Sequence, residues 1–185
     1  LDMRMDRRQA VTAADVVNGY DERSLARLLV DYADERHARR IARAVVAARP
    51  VSDTSHLAEV VRDAIPAATR RRGGHPAKRT FQAIRIEVNA ELDQLGDALD
   101  EAVRRLVPTG RGAVLSYHSG EDRIVKHCFD RAATGGCNCP RLLPCTCGAT
   151  PLVVLPRRAG RVPSEDEARD NPRAASARLR VLERR

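Results

Sequence analysis

The spacing of the apolar residues changes near residue 110, and this change limits the chain to a mixed fold. Before that point apolar side chains recur at steps of three and four residues, the spacing of one face of an α-helix. After it they occur in short runs, which are typical of buried strands. The 185 residues are enough for one ordinary domain or two small ones. We therefore expect helices first and an α/β segment after them.

Three helices are predicted before the change. The first covers Glu22–Arg49, with Asp21 as its cap and Pro50 as its stop. The second covers Thr54–Ile65. A third, long amphipathic helix runs from Pro76 to Leu106, because its apolar residues alternate at three and four steps over that whole length.

Three strands are predicted after it: Gly112–Tyr117, Leu152–Leu155 and Arg178–Glu183. A helix over Glu121–Phe129 follows the first strand, and Ser119 and Asp122 have the spacing of a capping box at its start. The first strand is almost entirely apolar, so we expect cover on both faces and neighbours on both edges. The segments resemble the tail of an α/β fold, and the chain resembles one that begins partway through a domain.

The charge balance permits nucleic acid, phosphate or an anionic membrane as partner. The chain carries 33 basic and 25 acidic residues, a net charge of +8. Codon bias toward arginine in a GC-rich genome is an alternative explanation of the net positive charge, so the charge alone assigns no partner. No apolar run is long enough for a bilayer, and the first residues lack the pattern of a signal peptide. We expect a cytoplasmic protein.

Four of the five cysteines lie within eleven residues. Reduced thiols or a metal site are expected, because the sequence shows no secretion signal. A four-cysteine zinc site and unliganded thiols both remain open, since the C-x-C spacing is less typical of zinc than C-x-x-C. The candidate ligands are Cys137, Cys139, Cys145 and Cys147. Cys128 stands apart, and we expect a small buried hydrophobic residue there.

Short motifs of one family occur in order along nearly the whole chain. They are Leu1–Asp6, Thr12–Asn18, Glu35 with Arg36, Ala38–Ala42, His75–Ala77, Arg79–Ala83, Arg85–Asn89, Glu91 with Leu92, Ser116–Ser119, Glu121–Arg123, Pro163–Glu165, Asn171–Ala174 and Ser176–Arg180. In these motifs the chain resembles the bacterial 16S rRNA cytosine-N4 methyltransferases, the RsmH or MraW family, which use S-adenosylmethionine.

The resemblance implies the C-terminal part of a class I (Rossmann-like) methyltransferase domain with an inserted α-helical domain. Residues 1–10 then end a loop of the catalytic domain, 11–74 form the insertion, and 75–185 form the C-terminal portion of the catalytic domain. No cofactor-binding residue is expected in this chain, because the family's glycine-rich loop lies upstream of Leu1. The only G-x-G, Gly110–Gly112, leads into a strand rather than out of one.

Tyr117, His118 and Asp122 are the candidates for the cytosine pocket. They lie where a strand predicted to be parallel ends and a helix begins, the edge at which α/β sheets bind ligands. Tyr117 is suited to stack on a flipped base, and His118 to hold or accept a proton near the amine. The alternatives are core packing for Tyr117, a structural role for His118, and a helix-start acid paired with Arg123 for Asp122. Gly120 departs from the family, which usually has leucine there, and Arg7 stands where proline is common.

Basic residues around the end of the insertion are the candidates for binding the RNA backbone. They are Arg70, Arg71, Arg72, Lys78 and Arg79, and a solvated basic linker is the alternative interpretation. Phe81 beside them is expected in the core.

The function implied by the resemblance is methylation of N4 of a cytidine in 16S rRNA, with the small ribosomal subunit as partner. One alternative is a non-catalytic remnant of such an enzyme that binds RNA or is stabilised by zinc. Another is a chain whose sheet is completed by a partner or by a second copy in a homo-oligomer.

Overall fold

The computed structural model describes residues 1–70, 74–140, 146–156 and 160–185, which form two compact units, Leu1–Glu91 and Leu92–Arg185. Among its described residues the first unit has helices and no strand. The helices are α1 Ala13–Gly19, α2 Glu22–Ala33, α3 Ala38–Ala47, α4 Thr54–Ala64, α5 Ala67–Arg70 and α6 Lys78–Asn89. α1 was not predicted; it is seven residues long and begins with a capping box between Thr12 and Asp15. A helix this short shows too few turns for its spacing to stand out.

Five helices of the first unit, α1 to α4 and α6, turn one apolar face toward a common core. Ile41, Leu57 and Val61 have no exposed surface there, and Phe81 packs against the same cluster, as expected. α2 packs on α3 and on α6. Burial of each large aliphatic side chain contributes about 1.5–3 kcal/mol, so this core stabilises the helices more than their intrinsic propensity does.

The predicted helix Glu22–Arg49 is wrong, because the chain turns at Asp34 and forms two helices. Asp34 has a left-handed backbone (φ 48°), and its N–H donates to the Leu29 and Val30 carbonyls that end α2. The Arg79 guanidinium donates to the Asp34 carbonyl at 3.0 Å. The apolar spacing continues through this break because α2 and α3 pack their faces into the same core.

The predicted long helix from Pro76 to Leu106 is also two helices. α6 ends at Ala90, which has a left-handed backbone (φ 49°), and α7 covers Glu91–Arg105. No glycine or proline marks this break, so the sequence showed only the continuous apolar spacing.

The second unit has the mixed composition that the sequence predicts. After α7 come β1 Arg111–Ser116, α8 Ser119–Thr134, β2 Val153–Val154, β3 Gly160–Arg161, α9 Glu165–Asp170, a 3₁₀ helix Pro172–Ser176 and β4 Arg178–Arg184. β4 pairs with β1 on one edge and with β2 and β3 on the other. All three pairings are antiparallel, with Arg111 opposite Glu183 and Ser116 opposite Arg178. The parallel neighbour expected for β1 is absent among the described residues.

A small core lies between the helices and the sheet of this unit. Val125, Val153 and Leu182 are its most buried members, and Cys128 is buried beside Phe129, as expected. The two-sided cover expected for β1 is wrong for the described chain. Exposure alternates along the strand, and half of the Leu115 surface is exposed to solvent. One face of β1 is therefore left without apolar cover.

None of the helices in the described ranges has the length and apolar character of a membrane-crossing segment.

Candidate functional site

The connection between β1 and α8 carries the three predicted pocket residues. β1 ends at Ser116, which is buried, and Tyr117 and His118 follow before the first turn of α8. Tyr117 keeps 53% of its surface exposed. Among the described residues Tyr117 therefore does not pack in a core, and its ring is exposed.

His118 begins α8 as its N-cap. Its Nδ1 accepts a hydrogen bond from the Glu121 N–H at 3.4 Å. The Glu121 carboxylate accepts in return from the N–H groups of Tyr117 at 2.7 Å and His118 at 3.2 Å. These bonds satisfy donors that the first turn of a helix otherwise leaves unpaired. The prediction that Ser119 caps this helix is wrong, since the cap lies one residue earlier.

The cap leaves the other ring nitrogen of His118 without a hydrogen bond. Because Nδ1 accepts, the proton of the neutral ring is on Nε2. Nε2 is buried, lies 3.4 Å from a Glu121 oxygen, and makes no hydrogen bond within the described part of the chain. An unpaired buried N–H is costly. Because Nε2 has almost no accessible surface, the ring would have to turn outward to donate to a ligand.

Asp122 of helix α8 is paired with Arg180 of strand β4. The guanidinium donates two bonds to the carboxylate, at 2.7 and 2.9 Å. These bonds hold the pKa of Asp122 below its usual value and raise the pKa of Arg180. The partner suggested by the sequence is the neighbouring Arg123, whereas Arg180 lies 58 residues away along the chain.

The connection does not have the features of a cofactor site. Binding of a nucleotide-like cofactor relies on unpaired backbone N–H groups after a strand. Here the N–H groups of Tyr117 and His118 already donate to Glu121. Gly110–Gly112 leads into β1, as predicted. The N–H groups of Tyr117 and His118 are therefore already paired within the chain.

Two of the predicted RNA-binding residues can be described at the side-chain level. Lys78 and Arg79 are exposed in the first turn of α6. Arg79 donates to the Asp34 carbonyl, so part of its role is to hold the end of α2. Arg70 ends α5, and Arg71 and Arg72 lie outside the described residues.

Three of the predicted zinc ligands come together. The sulfur atoms of Cys137, Cys139 and Cys147 all lie within 4.8 Å of one another, close enough to hold one metal ion. Cys145, the fourth predicted ligand, lies outside the described residues. We call the three described sulfurs the thiol cluster.

Comparison with known proteins identifies the family. The model of the MraW methylase family matches residues 1–185, the whole chain. The chain belongs to this family. Three similar curated relatives, each named ribosomal RNA small subunit methyltransferase H, come from Frankia casuarinae (53% identical), Paenibacillus sp. (50%) and Heliobacterium modesticaldum (50%). Each alignment covers 100% of this chain and 58%, 59% and 60% of the relative, so the chain spans about three fifths of their length.

Gly120, the departure expected within the MraW methylase family, packs directly against the candidate site. A Cβ at this position would lie 3.2 Å from the His118 ring and 3.2 Å from the Leu92 side chain. A leucine there needs a shift of one of these neighbours, so the glycine permits the observed position of the His118 ring.

Proposed function

We propose that this chain is the C-terminal part of an S-adenosylmethionine-dependent methyltransferase that methylates N4 of a cytidine in 16S rRNA. The observation that carries the proposal is the family match over all 185 residues, together with the names of the relatives. We place the reaction in the cytoplasm, on the small ribosomal subunit. The residues that hold the cofactor belong to the part of the relatives that this chain does not cover.

The unpaired edge and the exposed face of β1 support a larger sheet in the whole protein. Among the described residues, β1 has a paired neighbour on one edge only, and Leu115 is half exposed. Unpaired edges and exposed apolar faces are rarely left open in a folded sheet. Residues 75–185 would then form the C-terminal portion of a Rossmann-like catalytic domain, 11–74 the inserted helical domain, and 1–10 the end of a catalytic loop.

Tyr117 and His118 are suited to bind the target base. A cytosine must leave its stack before a methyl donor reaches N4, and an exposed aromatic ring can receive it. The Nε2–H of His118 would donate to an acceptor of the base, N3 or O2. With Nδ1 held by the Glu121 N–H, donation at Nε2 fits the ring better than removal of the amine proton.

Asp122 would act on this pocket through Arg180. Both carboxylate oxygens already accept hydrogen bonds from the guanidinium, so the pair fixes the first turn of α8 against β4. We assign Asp122 as a positioning residue of the pocket.

The RNA backbone would contact the basic residues near the start of α6. Lys78 is exposed there, and the first-turn N–H groups of a helix favour phosphate. Arg70, Arg71, Arg72 and Arg79 extend the same basic stretch of sequence. The thiol cluster belongs to no step of methyl transfer.

A substitution that preserves the cap tests the role of His118. Asparagine is a preferred N-cap residue but lacks the imidazole Nε2–H, so His118→Asn in the intact protein should keep the fold. We expect methylation of small-subunit rRNA to fall at least about tenfold, the effect of losing a hydrogen bond of about 1.4 kcal/mol in the transition state. The control is His127→Asn, the same change at an exposed position of α8, which should methylate normally. Normal methylation by folded His118→Asn contradicts the assignment.

A further inference from the structure

The loop that follows α8 returns to the point where it starts. The Leu152 N–H donates to the Ala132 carbonyl at 2.9 Å. Gly135 has a left-handed backbone (φ 64°), and a Cβ there would lie 2.6–2.7 Å from backbone atoms of Thr150. Only glycine permits this approach. The two ends of the segment 135–150 are therefore in contact, which brings cysteines from both of its sides together.

Hydrogen bonds fix the first cysteine at the end of α8. The Gly136 N–H donates to the Arg131 carbonyl at 3.0 Å, and the Cys137 N–H donates to the Thr134 carbonyl at 3.2 Å. The Cys139 N–H then donates to Cys137 Sγ at 3.4 Å. This bond closes a tight turn that places the first two cysteines of the segment side by side.

The spacing of the sulfurs is close to that of a tetrahedral metal site. Thiolates bind Zn²⁺ at about 2.3 Å, which places two ligands of a tetrahedron about 3.8 Å apart. The three sulfurs lie within 4.8 Å of one another, so shifts of about 1 Å are enough to close the site. Several thiolates in tetrahedral arrangement select zinc over hard cations such as Mg²⁺.

We infer that Cys137, Cys139 and Cys147 bind one structural Zn²⁺ that ties the two sides of this loop together. The ion lies beyond the C-terminal end of α8. The 16 residues of the helix span about 24 Å, and His118 is at the opposite end. Zinc therefore holds the connection between α8 and β2 and contacts none of the proposed pocket residues. The inference is independent of the methyl-transfer proposal, because its tests do not measure activity.

Metal content of the intact protein is the first test. Protein purified without chelators should contain about one equivalent of zinc by mass spectrometry, retained through gel filtration. Protein that contains no zinc, even after growth in zinc-supplemented medium, overturns the inference. Iron in place of zinc, or cysteines of the cluster paired as disulfides, overturns it equally.

Serine variants locate the site. Cys137→Ser, Cys139→Ser and Cys147→Ser should each reduce bound zinc at least about tenfold, since each removes one thiolate. Cys128→Ser is the matched control, because Cys128 is buried in the core and burial raises the pKa of its thiol. It should keep its zinc. Wild-type zinc content in the three cluster variants, or an equal loss in the Cys128 variant, contradicts the assignment.

Chelation distinguishes a structural ion from a loosely bound one. A strong chelator should lower the Tm of the wild-type protein by about 5 °C or more, because the ion binds the folded state only. The Cys147→Ser variant should show no further decrease, since its site is already lost. A wild-type Tm that does not change on zinc removal overturns the structural role.

Discussion

At the scale of single residues, the role of the Asp122 carboxylate is set by an arginine far away in sequence. In sequence Asp122 is one of two acids at a helix start, and the neighbouring Arg123 is the obvious candidate for pairing. In the structure Arg180 of β4 occupies both of its oxygens, and both side chains are about three-quarters buried. The pair anchors the first turn of α8, which directly follows the proposed pocket residues.

Asp122→Asn should reduce the free energy of unfolding by about 1–2 kcal/mol at neutral pH, the range for a charge-assisted bond that is partly solvated. The folded-state pKa of Asp122 is lowered. Its contribution is therefore complete above the unfolded pKa of about 4 and is lost as the pH falls through the folded pKa. Urea unfolding at several pH values should show the difference between wild-type and variant shrinking below about pH 4.

The control for this pair is Asp166→Asn. Asp166 also pairs with an arginine, Arg169 at 3.0 Å, but both side chains are largely exposed. Its effect on stability should be close to zero, because water and salt screen exposed pairs. An equal effect of both substitutions contradicts the role given to burial at Asp122.

At the scale of elements, single left-handed residues decide where helices end. The apolar spacing predicted two long helices, and each is divided at one residue, Asp34 or Ala90. Alanine has no preference for this backbone, and its Cβ makes the left-handed conformation unfavourable. The sequence therefore contains no signal at Ala90.

Ala90→Gly should raise the free energy of unfolding by about 0.5–1 kcal/mol, because glycine adopts a positive φ without steric cost. The same substitution at Ala102, an exposed position inside α7, should lower it by about 1 kcal/mol. Thermal and urea unfolding of the two variants measure both changes. A loss of stability in Ala90→Gly contradicts the strain assigned to this turn.

At the scale of the whole molecule, a buried asparagine holds together residues far apart in sequence. Asn89 is 5% exposed, and its side chain accepts from the Met5 N–H at 2.7 Å. It also donates to the carbonyls of Met3 and Arg85, at 2.9 and 2.8 Å. The start of the chain is thereby fixed to the end of α6. The sequence showed Asn89 only as one residue of a family motif.

Asn89→Ala should lower the free energy of unfolding by about 2–3 kcal/mol, because it removes the partner of the Met5 N–H and of the Met3 carbonyl, both part-buried. Hydrogen exchange of the Met5 amide should become at least about tenfold faster. The control is Asn18→Ala, which removes a similar pair of bonds to Val51. It should destabilise the protein without selective exchange at Met5. Unchanged exchange in the Asn89 variant contradicts the role given to this side chain.

The sequence by itself determined the order of element types, most strand positions and the family. These depend on local spacing, turn residues and motifs, all of which are read along the chain. It also placed Tyr117, His118 and Asp122 at a strand-to-helix connection, and it grouped the cysteines.

Only the tertiary structure decided where the helices break and which groups pair with each other. It divided the long helices, made His118 the cap, left its Nε2 without a hydrogen bond among the described residues and paired Asp122 with Arg180. It also brought three cysteine sulfurs together across a closed loop. The physical reason is common to these cases: each depends on a contact, a backbone turn or a competing hydrogen bond that packing selects and that local spacing does not encode.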